Sequence, residues 1–219
     1  MKELTYPLYS ISRLRMQTDG KGVTSLIGSV GCPLRCKYCL NPESWNGRAK
    51  VNHVTVDELY ERVKIDNLYF ITTGGGLTFG GGESLLHADF IASFARKYRS
   101  LGWKIYVETS LSIPAENVEK VLPFVDAFSV DCKDMDPERY RKYTGGDYSV
   151  FENNLRILLD NIGPEQFQVR VPYIKGYNTR EQQLENKLKL LNMGVTHIQL
   201  FDYIMPEDTK TLDKTSIAH

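Results

Sequence analysis

Residues Lys104–Cys132, KIYVETSLSIPAENVEKVLPFVDAFSVDC, read as a strand, a helix and a second strand. Lys104–Glu108 is short, β-branched and aromatic. Pro114 is well placed for a first helical turn and opens a helix over Ala115–Leu122. Ala127–Cys132 returns as an apolar strand. A helix between two strands makes the strands parallel neighbours, because a tight hairpin cannot join them that way.

The same alternation continues on both sides. Upstream, Leu86, Phe90, Ile91, Phe94 and Tyr98 mark a helix, and Leu77-Thr78-Phe79 is a short strand flanked by the glycines of Gly74–Gly82. Thr55-Val56-Asp57-Glu58 is a capping box opening a helix striped by Val56, Leu59, Tyr60 and Val63. Val23–Val30 is a strand, preceded by the apolar run Tyr6–Ser12 and a turn cluster at Thr18–Gly22. Downstream, Asp136-Pro137 starts a helix that stops at Gly145-Gly146, and Ser149-Val150-Phe151-Glu152 caps another that ends at Gly163-Pro164. Val169–Ile174 is a strand, Thr179–Gln182 caps a helix through Leu191, and Ile198–Tyr203 is a last strand before a polar tail from Pro206.

Six strands alternating with helices predict an α/β fold with a parallel sheet. A complete eight-unit barrel takes about 250 residues. The 219 residues here suit six units better, an incomplete (β/α)6 TIM-like barrel open on one side. A doubly wound sheet is the alternative that periodicity leaves open. With no repeat or interior linker, residues 1–219 read as a single domain with its core at about 18–205.

The hydrophobic and charged fractions, 42% and 25%, are those of an ordinary globular protein. Basic and acidic residues balance at 27 each, so no overall charge argues for nucleic acid or an anionic membrane. No apolar run approaches the ~20 residues of a membrane span, and no signal peptide is expected. Four cysteines, three of them clustered, point to a reducing cytoplasm rather than a disulfide framework.

Those three, Cys32, Cys36 and Cys39, lie in Gly31–Trp45, GCPLRCKYCLNPESW, directly after the first parallel strand. Three thiolates on one loop can hold three irons of a [4Fe–4S] cubane and leave the fourth iron open to a small molecule. Zinc would need a fourth ligand, for which His53 is the nearest candidate, and a metal-free thiol cluster is the other alternative. Cys132 reads as a packing residue. His53, His87, His197 and His219 form no pattern.

In barrels of this kind the reactive groups gather where strands end. Gly80-Gly81-Gly82-Glu83 follows the second strand, Glu108-Thr109 closes the third, Asp131 and Lys133 close the fourth, Arg170 lies on the fifth and Asp202 ends the sixth. Their placement on one rim predicts one ligand pocket.

The cysteine spacing resembles that of the radical S-adenosylmethionine (SAM) enzymes. Together with TTGGGLTFGGGESLL it is similar to the glycyl-radical-enzyme activases, the group of the pyruvate formate-lyase activating enzyme. The resemblance takes in Asp19-Gly20-Lys21-Gly22, where that group carries DGxGxR, and continues through Glu108–Ser110, Asp131–Lys133 and Val169–Asn178. It implies a cluster on Cys32, Cys36 and Cys39, with Tyr38 near the adenine of SAM. Gly81, Gly82 and Glu83 would meet the methionyl amine, and Glu108, Asp131, Lys133 and Arg170 would line the rest of the SAM site. A monovalent cation would lie at Glu108, Thr109 and Asp131, with Glu where Asp is usual. Thr24 replaces the arginine of DGxGxR, Ser84 the proline of GGEP, and Ile204 a histidine of the pyruvate formate-lyase activase. Four cysteines leave none for further ferredoxin-like clusters.

The resemblance implies reductive cleavage of SAM to a 5′-deoxyadenosyl radical, which takes hydrogen from a glycine of a partner enzyme under anaerobic conditions. A flavodoxin- or ferredoxin-type protein would supply the electron. No catalytic residue is assigned beyond the cluster. The alternatives are a radical SAM enzyme acting on another peptide or a small molecule, and a non-catalytic iron–sulfur or zinc scaffold.

Overall fold

The computed structural model describes residues 3–16 and 19–204; Thr18, the tail from Pro206 and His219 lie outside them. Strand β1 (Tyr6–Met16) pairs antiparallel with β2 (Val23–Ser29), and β3 (Asn52–Val54) adds to the far side of β1. From β2 onward each strand lies parallel to the last: β4 (Gly76–Gly81), β5 (Lys104–Thr109), β6 (Ala127–Asp131), β7 (Phe167–Tyr173) and β8 (Ile198–Asp202). The order is β3-β1-β2-β4-β5-β6-β7-β8. The six parallel strands follow one another in chain order. A doubly wound sheet would reverse that order at a switch point. The sheet is instead an open, partial barrel, with the β1–β3 ribbon added at one edge.

The helices are α1 (Glu43–Asn46), α2 (Val56–Val63), α3 (Asn67–Thr73), α4 (Ala88–Tyr98), α5 (Ala115–Val121), α6 (Pro137–Thr144), α7 (Tyr148–Asn161) and α8 (Arg180–Asn192). The two capping boxes form as expected, Thr55 with Glu58 and Thr179 with Gln182. At α7 the cap differs from the Ser149 reading. Asp147 accepts from both the amide and the hydroxyl of Ser149, at 2.9 and 2.8 Å, so the helix starts at Tyr148. A carboxylate two residues earlier takes the donors that the serine would have needed. The sequence reading did not find α1, β3 or α3. In α3 only Phe70 is buried while Leu68, Tyr69 and Ile71 are exposed, so no amphipathic stripe marks it.

The period of two divides the chemistry of the parallel strands between two faces. Ile27, Leu77, Phe79, Ile105, Val107, Phe128, Val130, Val169 and Val171 point to the helices and form the core with Phe90 and Phe94 of α4 and Phe151 of α7. Each such side chain contributes about 1.5–3 kcal/mol by leaving water. The intervening residues share the other face. Thr78 stands beside Tyr106, Glu108 beside Ser129, Ser129 beside Gln168, and Asp131 beside Arg170. The inner face of the partial barrel is therefore polar, and it is where a polar ligand can be held. Cys132 is fully buried in the core, as its apolar context predicts.

Candidate active site

The cysteine loop leaves β2 and is pinned along its length. The amides of Arg35 and Lys37 donate to Thr144 O and Tyr143 O, at 2.7 and 3.0 Å. The last carbonyls of α6, which the helix itself leaves unpaired, thus find their partners on the loop. Tyr203, just past β8, donates its hydroxyl to Tyr38 O at 2.9 Å, and Tyr177 donates to Lys37 O at 3.2 Å. The Tyr38 ring packs edge-on against both, with centroids 5.3 and 5.5 Å away. Tyr143, Tyr177 and Tyr203 were not legible as site residues, since each reaches the loop across more than a hundred positions of chain or from another helix.

Cys32, Cys36 and Cys39 are all half-buried and unpaired with one another. Burial pushes the Cys32 thiol up to about 12 and raises that of Cys36, so without a metal these thiols keep their protons. Among the described residues no three His, Cys, Asp or Glu side chains converge on one metal-ion position. Among the described residues, the buried polar side-chain atoms with no hydrogen-bond partner are Tyr38 Oη, Ser44 Oγ, Trp45 Nε1 and Thr24 Oγ1. Three of these four belong to Gly31–Trp45. Orphaned polar atoms on one loop are what a missing polar group leaves behind, so the loop fits a cluster with its bound ligand.

On the inner face an alternating chain of charge runs across three strands. Arg170 bridges Asp131 through Nε (2.7 Å) and Glu108 through Nη1 (2.8 Å), and Lys133 Nζ lies 3.2 Å from the other oxygen of Asp131. Burial works to raise the Asp131 carboxyl, but Lys133 and Arg170 outweigh it and hold it below the usual range. Burial raises the Glu108 carboxyl, with Arg170 pulling it back. Lys133 is held well above its ordinary range by Asp131 against the effect of burial. The four groups sum to zero, and Lys133 and Arg170 both keep unused N–H donors.

Arg15 extends this chain. It stands opposite Thr24 in the β1–β2 ladder, and its Nη2 donates to the buried carboxylate of Asp19 at 2.8 Å. Asp19 O accepts from Thr78 Oγ1 on the inner face at 3.2 Å. Arg15 thus brings a guanidinium across the ladder from Thr24, a contact the sequence reading gave to no residue.

Glu83 lies elsewhere. Its buried carboxylate accepts from Thr109 Oγ1 (2.8 Å), Ser110 N (2.8 Å), Ser110 Oγ (2.6 Å) and Leu85 N (3.2 Å), tying the end of β4 to the end of β5. Burial raises its pKa and the Ser110 donors oppose the rise. Thr109 is therefore engaged with Glu83, while Glu108 and Asp131 share Arg170 on the inner face. Ser84 donates to Glu108 O at 2.9 Å, a bond that a proline there could not make. Gly81 and Gly82 run against β2 with no room for a side chain. A Cβ on Gly82 would lie 2.2 Å from Gly31 O, and Gly81 adopts φ +98°. Asp202 pairs with Arg180 at the surface, away from this group.

An open parallel barrel with three thiols on its first loop and a polar inner rim defines an enzyme class built around a cluster and a polar ligand. Residues 26–190 match the radical SAM superfamily, and the chain is 30% identical over 198 residues to the pyruvate formate-lyase-activating enzyme of Clostridium pasteurianum, covering 90% of this chain and 81% of that one. The chain belongs to the radical SAM superfamily and, within it, to the glycyl-radical-enzyme activase group. It is also 23% identical over 232 residues to the indoleacetate decarboxylase activating enzyme of Tractidigestivibacter scatoligenes, covering 76% of this chain and 73% of that one. Among solved structures the fold matches QueE from Escherichia coli with a TM-score of 0.59 at 17% identity, covering 98% of this chain and 91% of that one. Membership implies SAM and a [4Fe–4S] cluster as cofactors. No helix among the described residues is long and apolar enough to cross a membrane.

Proposed function

We propose that this enzyme is an activase, abstracting a hydrogen atom from a backbone glycine of a partner glycyl-radical enzyme. The observation that carries the reading is the placement of the three thiols on the loop after β2 and of the ion chain Glu108–Arg170–Asp131–Lys133 across β5, β6 and β7 of the same parallel sheet. Similarity to activases over most of the chain supports the substrate class. Those two relatives serve different partners, so the partner's identity is left to experiment.

Cys32, Cys36 and Cys39 would hold the cluster. Bound there and reduced, a cluster would supply one-electron reductive cleavage of the SAM sulfonium, the source of the 5′-deoxyadenosyl radical. This chain's residues bind and orient. Lys133 and Arg170 offer their unused donors to the methionyl carboxylate, a charge-assisted pairing that fixes its direction. Gly81 and Gly82, where no side chain fits, would leave the backbone bare for the amine, and Tyr38 would serve the adenine. Glu108 and Asp131, which share Arg170 here, would be the carboxylates for a monovalent cation beside Thr109. A flavodoxin- or ferredoxin-type carrier supplies the electron.

The test mixes anaerobically reduced enzyme, SAM and a co-encoded glycyl-radical enzyme. A glycine-centred doublet in the electron paramagnetic resonance spectrum is expected, and the partner's glycine-to-alanine variant should lose it. Formation of 5′-deoxyadenosine with a peptide or metabolite, while every co-encoded partner stays radical-free, would overturn the activase assignment in favour of another radical SAM reaction.

A further inference from the structure

Leu111, fully buried in the loop after β5, takes φ +55°. A side chain crowds the backbone in that left-handed region, so a residue other than glycine stays there only where its surroundings hold it. Two side chains do so. Leu111 N donates to Thr109 Oγ1 at 2.9 Å, and Asn154 of α7 donates through Nδ2 to Leu111 O at 2.8 Å and to Ile113 O at 2.7 Å. Asn154 breaks the pattern of its helix. It is fully buried on the face it shares with Phe151, Leu155 and Leu158, and an amide in such a stripe costs stability unless it is bonded. An apolar residue would suit α7 better, so the reason for the amide lies in the loop it bonds.

That loop leads directly to Glu83. Thr109 Oγ1 donates to Glu83 Oε1, and Ser110 donates through N and Oγ to Glu83 Oε2. Glu83 N in turn donates to Gly31 O at 2.7 Å, next to Cys32. Ser112, in the same loop, bonds the Tyr140 hydroxyl on α6, the helix whose last carbonyls hold the cysteine loop. The turn at Leu111 is therefore tied both to Glu83 and to the helix behind the thiols.

We infer that Asn154 is a positioning residue for the methionyl amine of SAM. It pins the left-handed turn at Leu111, which fixes the Thr109 and Ser110 donors and, through them, the Glu83 turn. The inference rests on the reading above in which Gly81, Gly82 and Glu83 meet that amine. Asn154 acts through the loop alone, since its donors are committed to the two carbonyls. Without it the turn can relax toward negative φ, which carries the Leu111 amide off Thr109 and loosens both oxygens of Glu83. A tether between α7 and the start of α5 would use the same two bonds, but it would leave SAM affinity untouched.

The test measures SAM binding by equilibrium dialysis in anaerobically reconstituted protein, and amide hydrogen exchange in the metal-free chain. Asn154→Leu removes the donors at similar size, and Asn154→Asp is the second variant should Asn154→Leu not fold. Asn67→Leu is the control for a lost hydrogen bond elsewhere, because Asn67 accepts from Trp103 Nε1 at the opposite end of β5. Asn154→Leu should bind SAM about tenfold more weakly with iron content unchanged, an effect in the range for residues that couple to a site without touching its ligand. Its Ser110 and Leu111 amides should exchange about tenfold or more faster than the parent's. Asn67→Leu should match the parent in both measurements. In a Leu111→Gly background the turn needs no clamp, since glycine takes positive φ unaided, so adding Asn154→Leu there should weaken SAM binding by less than about threefold. Unchanged SAM affinity in Asn154→Leu, an equal loss in Asn67→Leu, or an undiminished loss in the Leu111→Gly background would overturn the inference. If the parent held its irons yet bound no SAM, the reading of the SAM site would fall and the role of Asn154 with it, and the exchange rates would then report the clamp alone.

Discussion

Replacing Glu83 removes the acceptor that joins the ends of β4 and β5. In Glu83→Ala the hydroxyls of Thr109 and Ser110 can rotate to new partners, but the amides of Ser110 and Leu85 cannot. Each buried amide left without an acceptor costs about 1–3 kcal/mol, and the one lost methylene group costs about 0.8 kcal/mol. Release of a desolvated carboxylate offsets part of this, leaving a net loss of roughly 3–5 kcal/mol. For a chain of this length that lowers the melting temperature by about 6–20 °C. Glu83→Gln keeps one acceptor oxygen but turns an N–H₂ toward a donor, so about 1–3 kcal/mol is expected, with the smaller shift. Urea unfolding of the metal-free proteins followed by circular dichroism measures both. The decisive result is the ordering, alanine worse than glutamine worse than parent. If both variants unfolded within about 0.5 kcal/mol of the parent, the range of an ordinary surface substitution, Glu83 would not be the acceptor that the geometry describes.

Three further outcomes are expected. Cys32→Ala, Cys36→Ala or Cys39→Ala should each abolish SAM cleavage in anaerobically reconstituted protein, whereas Cys132→Ala should keep about four irons per chain and lose only stability; stoichiometric zinc without iron in anaerobically purified parent would contradict the cluster. Lys133→Ala should weaken SAM binding by roughly ten- to a hundredfold, the equivalent of a charge-assisted bond worth about 1.5–3 kcal/mol, with iron content unchanged; equilibrium dialysis checks it. Gly82→Ala should destabilise the metal-free protein by about 1–3 kcal/mol or more, because its methyl would meet the Gly31 carbonyl 2.2 Å away; a melting temperature equal to the parent's would show that the two loops are not packed this closely.

Local signals carried most of the fold. The capping boxes at Thr55 and Thr179 and the apolar runs between turns depend on neighbours a few residues apart, so periodicity and composition expose them. The three cysteines were legible for the same reason, since their spacing lies within one loop. Elements without a local signature were not: β3 exists because β1 offers an edge, and α3 buries a single phenylalanine. The sequence alone established six parallel strands, a three-thiol loop and the acids and bases at the strand ends. Only tertiary structure decided which of those charges meet. It gave Glu83 to Thr109 and Ser110, placed Arg170 between Glu108 and Asp131, and set Arg15 opposite Thr24. A strand's register and a loop's route fix such contacts between residues far apart in the chain, and spacing along the sequence carries no record of either.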